Sequence, residues 1–226
     1  MKNSIRLFSF LLIILFLTNC KKDISNVTFS CDKKVDKWTH DNYSQLKSMN
    51  RQEILNLKGE YQMAAYRTLS PEKRAALWKL KLDEVLKLKW SPMEYKHIAL
   101  LANGISTNWF LDSTNNSKYE SIMAKSFVHE WAMYGKKSIG WSNEMIESIA
   151  MRLDTPISSN GYLLESFDLT KTDAGDPKPV RCKCSSEDDW CSFGSRCGSS
   201  VCTETMLGCG LLFMYDCDGM CSEFSK

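Results

Sequence analysis

The chain has 226 residues, 43% of them hydrophobic, with 29 basic and 27 acidic side chains and a formal net charge of +2. That length and apolar content can form a folded core, and so balanced a charge lacks the basic excess that binding a phosphate backbone requires, which argues against nucleic acid as a partner. Eight of the ten cysteines fall in residues 182–226, a density that indicates a disulfide scaffold and an oxidising compartment.

The first element supplies the route to such a compartment. "MKNSIRLFSFLLIILFLTNC" places Lys2 and Arg6 ahead of an apolar run from Leu7 to Leu17, the charged and hydrophobic regions of a secretory signal, and the run is too short to span a bilayer as a helix. The run ends in "LTNC", which resembles the bacterial lipobox. Residues 1–19 are therefore expected to be a lipoprotein signal peptide, with Cys20 as the lipidated mature N-terminus. An ordinary signal peptide with an incidental cysteine is the alternative. Acyl chains on Cys20 would hold the protein on a membrane. The following "KKD" is similar in part to the signal that exports lipoproteins to the outer face. The expected location is the bacterial cell envelope, as a surface-exposed outer-membrane lipoprotein.

Residues 20–41 are polar and without apolar period, and read as a tether. Cys31, isolated within it, is expected to be an unpaired thiol or to form an intermolecular bridge. Residues 42–153 read as an α-helical domain of about five helices. The first runs from Tyr43 to Lys58 and stops at Gly59. In "SPEKRAALWKLKLDEVLKLKW" Ser70 caps a helix opened by Pro71, and Trp78, Leu82, Val85 and Leu86 mark its core face. "SPMEYKHIALLANG" repeats the device with Ser91, Pro92 and Glu94, and Gly104 is expected to close it in a left-handed cap. Met123, Phe127, Trp131 and Tyr134 share a face of the next helix, which ends at Gly135, and Ser142 caps the last. The tryptophan and methionine stripes read as core.

Residues 154–181 read as a linker, since "TKTDAGDPKPVR" cannot continue a helix or enter a central strand. Pro179 protects the bond after Lys178, so Arg181 is the candidate processing site. Residues 182–226 hold Cys182, Cys184, Cys191, Cys197, Cys202, Cys209, Cys217 and Cys221. Structural zinc needs paired C-x(2-4)-C ligands, often with histidine. No C-x-x-C occurs, and His40, His97 and His129 lie upstream. Four disulfides are the expectation, because a segment this short cannot bury enough apolar surface to offset its ordering entropy. Their connectivity stays open among 105 pairings. Gly194, Gly198, Gly208, Gly210 and Gly219 would supply turns, and "LLFMY", residues 211–215, would supply a strand. The predicted fold is thus a bundle of about five helices followed by a small, four-disulfide C-terminal knot.

"CKCSSEDDWC" and "TMLGCG" carry a resemblance. The pattern C-x-C-S, acidic residues and an aromatic before the next cysteine, then T-x-x-G-C-G, is similar to the bacteriocin fulvocin C-related family, over residues 182–221. What the resemblance implies is a secreted antibacterial domain. The tail carries Lys183, Arg196 and Lys226 against Glu187, Asp188, Asp189, Glu204, Asp216, Asp218 and Glu223, a net of −4, which leaves +4 on the rest of the mature chain. An acidic module is poorly suited to attack on anionic lipid, so the implied partner beyond the membrane anchor is a protein receptor on a target cell.

No nucleotide loop, nucleophile elbow or dinucleotide fingerprint occurs. His129-Glu130 begins an H-E-x-x-H match that Met133 breaks. The chain therefore reads as a non-enzyme without a metal or small-molecule cofactor. Two functions fit. In one, a lipid anchor and helical domain carry an antibacterial module released by cleavage near Arg181. In the other, the chain is a permanently attached surface lipoprotein whose cysteine-rich domain recognises a ligand while the helices act as spacer or dock.

Overall fold

The structure, a computed structural model, describes residues 24–111, 118–164, 183–187 and 195–223. Cys20, the candidate lipidation site, and Arg181, the candidate processing site, lie outside these residues, as do Cys182 and Cys191. Among them are seven α-helices: α1 Lys33–Leu46, α2 Arg51–Leu55, α3 Glu60–Arg67, α4 Pro71–Leu86, α5 Pro92–Gly104, α6 Lys118–Tyr134 and α7 Asn143–Ala150. None is long and apolar enough to cross a membrane.

The count exceeds the expected five because the early part of the chain is more ordered than its polarity suggests. Asp32 caps α1 by accepting from the backbone N–H of Lys34 and Val35, inside the stretch read as tether. Only Val35, Thr39 and Leu46 of α1 are buried, too sparse a set to show a period. The preceding residues fold back onto this helix. Asp36 accepts from the N–H of Phe29 at 2.7 Å, and His40 Nε2 hydrogen bonds the Val27 carbonyl at 3.0 Å. The single helix expected over Tyr43–Lys58 is broken at Asn50, whose capping box with Glu53 starts α2. Gly59, at φ +51°, is the residue that precedes α3, in backbone that favours glycine.

The caps at Ser70, Ser91 and Ser142 form as expected. Gly104 differs: it is the last residue of α5 and not a left-handed cap. A Cβ there would lie 3.1 Å from the Trp109 ring and 3.2 Å from that of Phe127, so close approach explains this glycine.

The C-terminal part is an antiparallel sheet of β1 Lys183–Cys184, β2 Ser195–Cys209 and β3 Tyr215–Glu223, in the order β1-β3-β2. Among the described residues two disulfides lie within it, Cys184–Cys197 and Cys209–Cys217, so the tail is a small disulfide-bonded sheet, and the expected count of four includes cysteines outside those residues. A Cβ on Gly219 would fall 2.3 Å from Cys197 Sγ and 3.0 Å from Cys184 Sγ, so the first bridge requires glycine on the strand beneath it. Cys31 is also disulfide-bonded, which corrects the expectation of an unpaired thiol or an intermolecular bridge.

Of "LLFMY", expected as a strand, only Tyr215 is in one, as the first residue of β3. Gly210, at φ +66°, turns the chain into a 3-10 turn, Leu211–Phe213, and Leu212 and Phe213 also take positive φ, at +52° and +55°. Such backbone is costly for residues with a Cβ. Burial offsets the cost: Leu211, Leu212 and Met214 are fully buried. Phe213 packs edge-on against Tyr66 and Trp78, each with centroids 5.2 Å away. One hydrophobic core thus contains residues of the helices together with Leu211 to Tyr215, and the tail plugs into the bundle.

Candidate functional site

Two features stand out: the junction that fixes the tail to the helices, and the surface on either side of α6 that this junction leaves open.

At the junction, Arg67 at the end of α3 and Glu204 on β2 form an ion pair in which both side chains have no solvent exposure. Arg67 also donates to the Phe29 carbonyl at 2.7 Å and lies 3.0 Å from Cys217 Sγ. Its own carbonyl accepts from the buried Arg74 at 2.8 Å. Glu204 reaches in the other direction and accepts from the Cys31 N–H at 3.0 Å. Gly208 makes room for this, since a Cβ there would be 2.6 Å from Arg67 Nε. The N-terminal segment, α3 and β2 therefore meet at one desolvated charge pair, beside Tyr66, whose hydroxyl is pushed up to about 12 by burial.

The open surface runs along α6. This helix buries Ala124, Val128, Trp131 and Ala132, and the stripe predicted as core, Met123, Phe127, Trp131 and Tyr134, is offset from that set by one position, about 100° of helix. Only Trp131 belongs to both faces. Met123 and Tyr134 are about half exposed, as are Met93 and Leu100 of α5. Between the two helices lies a mainly apolar groove of about 510 Å³, walled by Met93, Leu100, Phe127, Trp131 and Tyr134, with Lys96 and Glu130 as its charged groups.

The floor of the groove is rigid. The His97 ring lies parallel to that of Trp131, 5.1 Å away. His97 Nε2 hydrogen bonds the Trp131 carbonyl at 2.8 Å, and Trp131 Nε1 donates to the His97 carbonyl at 2.8 Å. Burial lowers the His97 pKa, against the pull of its hydrogen bond to Trp131, and because a carbonyl only accepts, Nε2 carries a proton. Trp141 closes the stack, 5.4 Å from His97, and donates to Glu94. A Cβ on Gly135, the residue after α6, would lie 2.5 Å from Trp141, so close approach explains this glycine.

On the other side of α6 a more polar cleft of about 490 Å³ opens against the sheet, between Ser126, His129 and Glu130 of the helix and Glu187, Tyr215 and Asp216 of the tail. Lys125 bridges it. Its ammonium is 2.7 Å from Glu187 and 4.6 Å from the centre of the Tyr215 ring. Glu130 lines both depressions, which makes a continuous strip, apolar toward α5 and acidic toward the sheet.

His129 and Glu130 sit exposed on this strip, and no group of three or more His, Cys, Asp or Glu among the described residues could hold a metal ion. The backbones of Cys202 and Cys221 lie on β2 and β3. Local patterns gave no sign of Arg67, Glu204 or Lys125, whose partners are distant in sequence. The groove did leave a trace: α5 is apolar at Met93 and Leu100 as well as at Ile98 and Leu101, more than one buried face requires. Comparison with protein-family profiles, with curated proteins and with solved structures finds no match.

Proposed function

We propose that this chain works intact, as an envelope-anchored binding protein: lipidated at Cys20, held in the bacterial outer membrane, and presenting the strip along α6 to a protein partner. The observation that carries this reading is the burial of Leu211 to Met214 in the core of the helices. A tail released by cleavage after Arg181 would return those side chains to water, at about 1.5–3 kcal/mol each. It would also strip Arg67 of Glu204, and removing one partner of a buried pair costs on the order of 3–5 kcal/mol. A tail built this way gains its stability where it sits. The groove supports a protein partner, since it combines exposed methionine, leucine and tyrosine with one charge of each sign, the composition typical of a recognition surface. The resemblance of residues 182–221 to a bacteriocin family is compatible with antibacterial action of the intact chain at a receptor.

The test uses the mature protein with Cys20→Ser, which dispenses with the lipid, beside refolded residues 182–226, both applied to bacterial cells and scored for surface binding and growth inhibition. Binding by the intact chain that is lost in Leu100→Asp or Tyr134→Asp, without a fall in melting temperature, supports the reading. Activity in the isolated tail and none in the intact chain overturns it in favour of the released module. Mass spectrometry of the cell-derived protein tests the anchor, and a mature N-terminus other than acylated Cys20 removes it.

A further inference from the structure

The strip along α6 has a regularity that packing inside the chain leaves unused. On α5 the outward positions Met93, Lys96 and Leu100 are spaced by three and then four residues, and on α6 Phe127, Glu130 and Tyr134 repeat that spacing. Such spacing is the seam of a helix that packs on another helix. Met93, Leu100 and Tyr134 are 56%, 53% and 49% exposed, so within this chain the seams face solvent. At the centre of each stands one exposed charge, lysine on α5 and glutamate on α6. Neither has an opposite charge three or four places away on its own helix, so neither seam neutralises its own charge.

The helices hold these positions at matching heights. A Cβ on Gly104 of α5 would lie 3.2 Å from the Phe127 ring, and the His97 ring is 4.9 Å from that of Tyr134, so α5 and α6 run antiparallel. His97 and Trp131, joined by two hydrogen bonds and a stacked ring pair, stand level with each other. Counting outward from them, Met93 with Tyr134, Lys96 with Glu130, and Leu100 with Phe127 each fall within about 3 Å of one height. A second copy turned about a two-fold axis parallel to the helices keeps those heights and lays its α6 on α5 and its α5 on α6. Lys96 then meets Glu130 of the second copy, and the axis repeats the contact. Met93 comes onto Tyr134 and Leu100 onto Phe127, on either side of each pair. A two-fold across the helices at that level would set lysine on lysine and glutamate on glutamate, and like charges oppose association.

We infer that the chain forms a homodimer in which α5 and α6 of two copies assemble into an antiparallel four-helix bundle, with the crossed Lys96–Glu130 pairs setting its register. This names a second copy of the chain as the partner of the strip, and it rests on the reading of that strip as a protein-recognition surface. Side chains of the facing helices would fill the groove of about 510 Å³ on each copy.

The experiment is sedimentation equilibrium of the oxidised mature chain with Cys20→Ser, at concentrations up to about 100 μM. The parent should sediment at twice the chain mass. Lys96→Glu and, separately, Glu130→Lys should each raise the dissociation constant at least about 100-fold, because the two-fold doubles every like-charge contact. Mixing the two variants should restore the dimer, since both contacts then join opposite charges, and that rescue also shows that both variants are folded. A monomeric parent, or variants that dimerise alone as well as they do mixed, overturns the dimer, and a mixture that stays monomeric overturns the crossed pairing. If a monomeric parent binds bacterial cells and Leu100→Asp abolishes the binding, the strip serves another protein and the reading above stands. Binding by a monomer that survives Leu100→Asp overturns both.

Discussion

At the scale of single residues, the groups that carry the account are charges placed where charge is expensive. Arg67 and Glu204 are tolerated because each neutralises the other, and because the Phe29 carbonyl and the Cys31 N–H occupy further positions around them. Two other buried groups are less well matched. Lys81 is fully buried and donates to the carbonyls of Ser148, at 2.8 Å, and Asp154. Burial brings its pKa down to about 7, against the pull of Asp154. Glu147, on the face of α7 turned inward, is 8% exposed, and burial, with repulsion from Glu144, raises it to about 7. Between its usual 4.5 and about 7 the folded chain keeps a proton on Glu147 that the unfolded chain has released, so stability falls as pH rises through that window. Lys81 acts in the adjacent window. Between about 7 and 10.5 the unfolded chain binds the extra proton, and stability rises with pH. Glu147→Gln should therefore match the parent at pH 4 and exceed it by about 1–3 kcal/mol at pH 8, as measured by urea unfolding at both values. Parallel pH profiles for the two proteins would remove Glu147 from this role.

At the scale of elements, the helices were legible where the signal is local. Ser70-Pro71 and Ser91-Pro92-Glu94 specify their helix starts by chemistry confined to four residues, and the structure places α4 and α5 there. What the sequence concealed depends on distant partners. Helix α1 has too few apolar residues to show a period and is held by capping and by Phe29. "LLFMY" is an apolar run that fits a buried strand and a buried turn equally well, and the choice is made by the pocket between Tyr66 and Trp78 that receives Phe213. The stripe of α6 was visible as apolar, yet periodicity reports that a face is apolar and leaves open whether anything covers it. Replacing Phe213 by alanine should cost about 3–5 kcal/mol, because the ring fills a pocket lined by the helices. The effect should appear in tryptophan fluorescence, which reports Trp78. A loss below about 1 kcal/mol would show that the turn is peripheral to the core.

At the scale of the whole molecule, the tail, the helices and the N-terminal segment behave as one body because each contributes to the others' interior. Opposite net charges of +4 and −4 would by themselves favour an attachment that salt weakens. The contacts point elsewhere: Lys125–Glu187 is a surface pair of small worth, whereas Arg67–Glu204 is out of reach of screening. With Cys20 lipidated, the eleven positions to Cys31, whose N–H is held by Glu204 of the sheet, would keep the sheet within about 40 Å of the bilayer, and the strip along α6 would be displayed from a rigid base. The claim beneath all of this is that helices and tail share one core. Equilibrium unfolding of the oxidised full-length protein in urea, followed at once by tryptophan fluorescence and by amide signals of residues 204–220, tests it most directly. Coincident transitions with a single midpoint are the predicted result, and amide signals of the sheet that persist after the tryptophans have become exposed would contradict it.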